Sequence, residues 1–298
     1  MFNSYFLSAY FCLQLCCLNS WLTIIILNVN DLNAVYIFVK KSILIFYMKI
    51  SGFTYVRNGF NYKYPFIASI QSLLPIVDEL IVVVGDSSDG TKEAIESLDN
   101  NKIKIIDVCW DLSLRDGGQL FAKQSNIGIN NASGDWLIHL QADEVLMEYS
   151  RKEILKCIEI ADLKENIDGI LFPFLHFWGN YEHVRNTRRT HRFEIRAFKN
   201  KRDIFSYKDS QGFRKYVNKK NGKKLNVIKT LATVFHYSYV RHPKLMKKKF
   251  NYFKRFWHSD QWIFKKTNNS PFDYNNVDKL EFYSGMHPIY MQEIIKEK

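Results

Sequence analysis

The sequence predicts an α/β fold: a Rossmann-like three-layer α/β/α sandwich around a mostly parallel central sheet, plus a mixed region toward the C-terminus. Apolar runs of strand length recur at Ile50–Val56, Glu79–Gly85, 102–108 and 136–141. Such runs, bounded by turn residues, read as strands buried on both faces. Apolar residues at helical spacing fill the gaps between them, which alternates strand and helix as a parallel sheet requires. Several runs also stop at acid-bearing turns, where an open α/β sheet gathers its ligands.

Taken in order, Ile50–Val56 ends in Arg57-Asn58-Gly59, and Phe66, Ile67, Ile70, Leu73 and Leu74 then keep a helical period that stops at Pro75. Glu79–Gly85 is β-branched and continuous, and leads into the polar turn Asp86-Ser87-Ser88-Asp89-Gly90-Thr91. Asp89 or Thr91 is expected to cap a helix over 92–98. A third strand over 102–108 and a helix over 117–131 precede Ser133-Gly134-Asp135 and the strand 136–141, which halts at Asp143-Glu144. Beyond Glu144 the rhythm changes. A helix is expected over 151–161, a long aromatic strand over Gly169–Trp178, short β-like runs such as 193–198, one strand over 227–239 and a basic helix over 243–258. The tail 259–298 has no period, and the chain carries no internal repeat.

In 298 residues, 47% hydrophobic and 24% charged content suits a sizeable folded core. The net charge of +12 favours polyanions, acidic membrane surfaces or phosphorylated ligands. Cys12, Cys16, Cys17, Cys109 and Cys157 show neither metal spacing nor a paired framework, which implies free thiols in a reducing compartment. Residues 1–47 differ from the rest, with Asp31, Lys40 and Lys41 their only charges. They read either as a hydrophobic membrane anchor interrupted by Asn and Ser, or as upstream sequence before a start at Met48.

A Gly-x-Gly-x-x-Gly after the first strand and a Gly-x-x-x-x-Gly-Lys-Ser/Thr are both missing from the sequence. That speaks against a dinucleotide-binding dehydrogenase and excludes a P-loop. Asp86 and Asp89 stand one residue too far apart for the Asp-x-Asp-x-Thr of phosphatases. Four pieces in order do match a family: Phe53-Thr54-Tyr55-Val56-Arg57-Asn58, Ile81 through Thr91, Asn126-Ile127-Gly128-Ile129, and Ala132 through Trp136 running on to Gln141-Ala142-Asp143-Glu144. This combination resembles a family 2 glycosyltransferase with the nucleotide-sugar-binding GT-A fold.

The resemblance implies a donor-binding half at 48–150, an acceptor-side half at 151–258 and a C-terminal tail at 259–298. Thr54, Val56, Arg57 and Asn58 would line the nucleotide base, Asp86 would accept hydrogen bonds from base or ribose, and Asn126, Gln141 and Ala142 would complete the donor site. Gln141 stands where the family has the first Asp of Asp-x-Asp; Asp143 matches the last, the principal ligand of a Mn2+ or Mg2+ ion bridging the donor diphosphate. His236 is the expected late histidine of that metal shell, Glu144 a supporting partner, and Arg241 or His242 a diphosphate contact. A carboxylate must take the acceptor proton as the hydroxyl attacks. Asp209, in Tyr207 through Phe213, is the first candidate and Glu194 the second.

The implied activity is inverting transfer from a nucleotide-diphosphate sugar, a UDP-sugar favoured, to a glycan or lipid-linked acceptor in envelope polysaccharide or lipopolysaccharide assembly. The implied setting is cytoplasmic, at the inner face of the membrane. The helix 243–258 either rests on an anionic membrane with Phe250, Phe253 and Trp257 dipping inward, or packs its aromatics on the domain and leaves its lysines solvated. Nucleic acid is not expected as a partner. The rival readings are a non-catalytic sugar-nucleotide binder, suggested by Gln141, and a basic polyanion-binding protein.

Overall fold

The computed structural model describes residues 12–17, 20–25, 48–115, 117–187, 190–216, 222–266 and 270–297. The backbone divides into Met1–Met48 and Lys49–Lys298. In the first unit β1 (Cys12–Cys17) and β2 (Ser20–Ile25) form an antiparallel hairpin, Cys12 opposite Ile25 and Cys17 opposite Ser20. The two readings of 1–47, membrane anchor or upstream sequence before Met48, otherwise fall outside the described residues. Among the described residues no helix is long and apolar enough to cross a membrane.

The second unit begins with β3 (Ile50–Val56), α1 (Phe66–Leu73), β4 (Glu79–Gly85), α2 (Thr91–Glu96), β5 (Ile103–Val108), α3 (Gln119–Asn131) and β6 (Trp136–His139). These four strands lie side by side in the order β6-β3-β4-β5, all parallel. Every residue of β4 is buried, which explains its unbroken apolar run. Successive strand residues point to opposite faces. Phe53 packs against Gly128 of α3, whereas Gly52 faces Leu80 and Val77 just beyond α1, so the helices cover both faces as expected.

The chain continues through β7 (Glu144–Leu146), α4 (Ser150–Asp162), β8 (Gly169–Trp178), β9 (His183–Arg185), β10 (Phe193–Lys199), β11 (Ile204–Tyr207), β12 (Gly212–Lys215) and β13 (Lys223–Lys224). It ends with β14 (Val227–Lys229), β15 (Val234–Tyr239), α5 (Pro243–Lys254), α6 (Asp260–Lys266), β16 (Leu280–Phe282) and α7 (Gln292–Lys296). β10 joins the two parts of the sheet, antiparallel to both β6 and β8. β8 is the hub of the second part and pairs with β9, β10, β14 and β15. β15 in turn places His236 opposite both Glu144 of β7 and His176 of β8.

Three expectations change. The single strand over 227–239 is two, because Thr230 turns the chain: its hydroxyl accepts from Ala232 N–H and donates to Glu153. The cap of α2 is neither side chain alone; Gly90 takes a left-handed φ of 81° while Asp89 accepts from Thr91 N–H. The tail contains α6, β16 and α7, and its strand pairs with β9.

Candidate functional site

A cavity of about 680 Å3 opens at the carboxyl end of the parallel strands, a size typical of small-ligand sites. Val56 and Arg57 come from the end of β3, Gln141, Ala142 and Asp143 from the turn after β6, and Asp209 from the β11–β12 turn. His176 of β8, His236 of β15 and Lys249 of α5 line it as well. Arg57, Arg185, Lys249 and Lys254 line it against two carboxylates, Asp143 and Asp209, and burial with Arg241 nearby lowers the Lys249 ammonium to about 7. The balance favours an anionic ligand.

The turn after β6 is held rigidly by Glu144, whose carboxylate forms two hydrogen bonds of 2.6 and 2.7 Å with the buried Arg196 guanidinium. Glu144 Oε2 also accepts from Gln141 N–H at 3.1 Å. The supporting role expected for Glu144 is therefore exerted on the turn that carries Asp143, not on a ligand directly. Gln141 donates its amide to Ser210 O at 3.4 Å, tying this turn to the segment that presents Asp209.

Asp143 is only 6% exposed. Its Oδ2 lies 3.3 Å from Lys249 Nζ and its Oδ1 3.7 Å from His236 Nε2. Burial alone would raise this carboxyl, yet the charges of Lys249 and Arg241 hold it well below the usual carboxylate range. Proton positions in the adjoining histidines follow from their partners. His176 Nε2 must donate to His191 O, 2.7 Å away, because a carbonyl only accepts. Burial keeps His176 neutral, so its Nδ1 accepts from His236 Nδ1–H at 2.7 Å. Burial also pushes His236 well below its ordinary value against the pull of Asp143, leaving its Nε2 as a lone pair.

Two acceptors, His236 Nε2 and Asp143 Oδ1, thus face each other without a proton between them. That is a place a divalent cation fits, with a hard oxygen and an imidazole as ligands. Among the described residues no three His, Cys, Asp or Glu groups converge. Magnesium-type sites on nucleotides commonly use one or two protein ligands plus substrate phosphates and water, so the pair suffices. Gln141 adds no charge.

Asp209 is presented on a strained turn. Lys208 and Ser210 on either side take left-handed φ of 52° and 62°, which costs a non-glycine residue roughly 1 kcal/mol or more. Ser125 Oγ, 2.6 Å from Ser210 Oγ, anchors the turn. Gly118 makes room for it: a Cβ there would stand 2.5 Å from Asp209 Cβ, and its φ of 72° also disfavours other residues. Asp209 Oδ1 is buried without a partner, and burial pushes the carboxyl up.

The other expected residues sit apart from the cavity wall. Asp86 takes a bidentate bond from Arg57, at 2.9 and 3.0 Å, and a third from Trp110 N–H. Thr54 is buried within β3. Asn58 accepts from Ser88 N–H, and Asn126 exchanges two bonds with the Ser206 backbone. Glu194 is not among the lining residues; burial, with Glu144 and Asp209 adding to it, raises its carboxyl to about 7. Arg241 is buried and spends its guanidinium on the carbonyls of Tyr62, Tyr237 and Ser238, while His242 accepts from Lys244 N–H at the start of α5. None of these two arginine and histidine groups reaches the cavity.

α5 corrects the reading of its lysines as solvated at one position, Lys249, while Lys244 and Lys248 are exposed. Met246, Lys249 and Phe253 share one face at helical spacing, with Met246 and Lys249 buried. Phe253 stacks on Phe121 at 5.3 Å, whereas Phe250 and Trp257 stay partly exposed. Lys249 and His176 were missed by motif reasoning. A lone histidine inside the apolar strand Phe174-Leu175-His176-Phe177 was the available signal; Lys249 had none, being one lysine in a run.

Among solved structures, S. aureus TarS 1-349 is similar at 14% identity and a TM-score of 0.40, over 69% of this chain and 64% of that one. The chain therefore spans less than two thirds of the length of that protein's fragment. The mannosyltransferase PcManGT from Pyrobaculum calidifontis, in complex with GDP-Man and Mn2+, is similar at 14% identity and a TM-score of 0.35, over 51% of this chain and 44% of that one. Glucosyl-3-phosphoglycerate synthase from Mycobacterium tuberculosis, with Mn2+, UDP and phosphoglyceric acid, gives 19% identity and a TM-score of 0.30, over 46% of each chain. No curated protein sequence matches. The model of Glycosyl transferase family 2 matches residues 54–222, more than half of the chain, and the chain belongs to that family of sugar-transferring enzymes.

Proposed function

We propose that this protein transfers a sugar from a nucleoside-diphosphate donor, a UDP-sugar by expectation, to an acceptor hydroxyl with inversion at the anomeric carbon. The observation that supports it best is one cavity with a raised carboxylate, Asp209, one of whose oxygens is buried without a partner, and a cation-rich cluster around Asp143. The donor diphosphate would lie against Asp143, His236 and Lys249, with Val56 and Arg57 beside the nucleotide. A Mn2+ or Mg2+ ion held by Asp143 and His236 would supply charge neutralisation for the departing nucleoside diphosphate. Asp209 would accept the acceptor's proton as its oxygen attacks opposite the leaving group, and a single displacement of that kind inverts the centre. Glu194, outside the cavity lining, is the subordinate candidate.

On this reading residues 48–150 hold the donor, 151–258 build the acceptor side and 259–298 buttress it. We place the reaction in envelope polysaccharide or lipopolysaccharide assembly at the inner membrane face, with a glycan or lipid-linked acceptor; the partly exposed Phe250 on the basic α5 and Trp257 just after it suit such a setting. The test is thermal unfolding with a panel of nucleoside diphosphates, with and without Mn2+. One nucleotide should raise the midpoint, since ligand at ~100 times its Kd stabilises by about 2.7 kcal/mol. No shift with any nucleotide would overturn the donor site.

A further inference from the structure

Lys249 enters the site from outside every motif in the donor half. We propose that it is the counter-ion of Asp143 while no donor is bound and a ligand of the diphosphate once one is, so that donor and divalent ion bind as a coupled pair. This rests on the donor reading above.

A carboxylate as buried as Asp143 needs a positive partner, and Lys249 Nζ at 3.3 Å provides it. Arg241, which shares Ser238 O and the Tyr64 ring with it, adds a second positive charge, and the remaining neighbours of the ammonium are neutral. It donates to Ser238 Oγ at 2.8 Å and lies near Ser238 O at 3.4 Å. The rings of Tyr64 and Phe253 sit 4.8 and 5.6 Å from it. Hydroxyl, carbonyl and ring faces solvate a cation but do not neutralise it. If a dication draws the charge of Asp143 away, Lys249 is left buried and unpaired, which is costly. A phosphate oxygen on the same wall removes that penalty, because Lys249, Asp143 and His236 all line one cavity. A lysine suits the exchange: its flexible four-carbon stem and three donors let it change partner without moving α5.

The test measures Mn2+ binding by electron paramagnetic resonance and UDP binding by calorimetry, each with and without the other, on the full chain. Wild type should bind Mn2+ alone only weakly, gain at least tenfold with saturating UDP, and still bind UDP measurably in EDTA. Linkage requires the same factor for UDP when Mn2+ is added. Lys249→Met should bind Mn2+ alone more tightly than wild type and bind UDP in EDTA at least tenfold more weakly. Lys249→Gln, which keeps the bonds to Ser238 and drops the charge, replaces the Met variant if that one does not fold.

Tight Mn2+ binding by the wild type without nucleotide would overturn the proposal, as would variants that leave both affinities unchanged. UDP binding with Mn2+ that ignores Lys249 sinks the lysine's role and leaves the donor reading standing. If no nucleoside diphosphate binds under any condition, both fall.

Discussion

At the amino edge of the parallel strands, Glu79 accepts from Ser51 Oγ, Ser133 N–H, Ser133 Oγ and Lys104 Nζ, all at 2.6–2.7 Å. At the carboxyl edge of the same sheet, Asp209 has a buried oxygen with no partner, and the Trp110 indole N–H lining the same cavity has none either. Both edges carry buried acids, and burial acts on both. Hydrogen bonds more than offset it at Glu79 and hold that acid well below its usual range, whereas Asp209 is left raised. Buried polar groups are ordinarily satisfied, so an edge that leaves them open has kept them for something that arrives. The acid that builds the fold and the acid proposed to do chemistry differ in saturation, not in type.

The sharpest way to break this contrast is Asp209→Asn. Removing a general base should lower the transfer rate by about 10²–10⁴-fold while the unfolding midpoint barely moves, read from product formation beside thermal denaturation. Glu144→Gln should act between the two edges. Leaving Arg196 buried and half-paired should cost about 3–5 kcal/mol in denaturant unfolding, with donor affinity falling as the Gln141–Asp143 turn loosens. Glu79→Gln should cost roughly 2–3 kcal/mol and leave nucleotide affinity untouched; a loss of nucleotide binding there would erase the distinction between the edges.

The last effect is a pH dependence. The Glu194 carboxyl is raised from 4.5 to about 7, so between those values the folded chain holds a proton that the unfolded chain has released. Stability should therefore fall as pH rises through that window, by about 3 kcal/mol in all, and level off above it. Glu194→Gln should flatten that slope in unfolding curves taken at several pH values.

Much of the donor half was legible. Leu80-Ile81-Val82-Val83-Val84 is apolar because both faces of β4 are covered, and a continuous run reports that without any tertiary knowledge. The Asp143 turn was legible because the apolar run of β6 breaks off at two adjacent acids. The second half was less so. Val227 to Tyr239 looks like one strand because the turn at Thr230 depends on Glu153, a residue 77 positions away. Lys249 reads as solvated because the period that buries it is shared with Met246 and Phe253 and masked by the lysines beside it. Asp209 and Glu194 were ranked by sequence, but only the turn strain, the unpartnered oxygen and the cavity wall separate them. Asp86 read as free to meet a nucleotide because nothing local shows Arg57 gripping it.

The way α5 is fastened bears on when the enzyme becomes competent. Lys249 reaches back 106 residues to Asp143, Tyr252 takes a bond from Arg57 across 195, and Arg115 donates to Arg255 O across 140. Contacts so distant along the chain close last, after the local strand–helix units have formed. During synthesis the parallel sheet can assemble while α5 is still in the ribosome, and the cavity then lacks the wall that brings Lys249. Activity should consequently appear only once α5 has emerged and docked on the sheet.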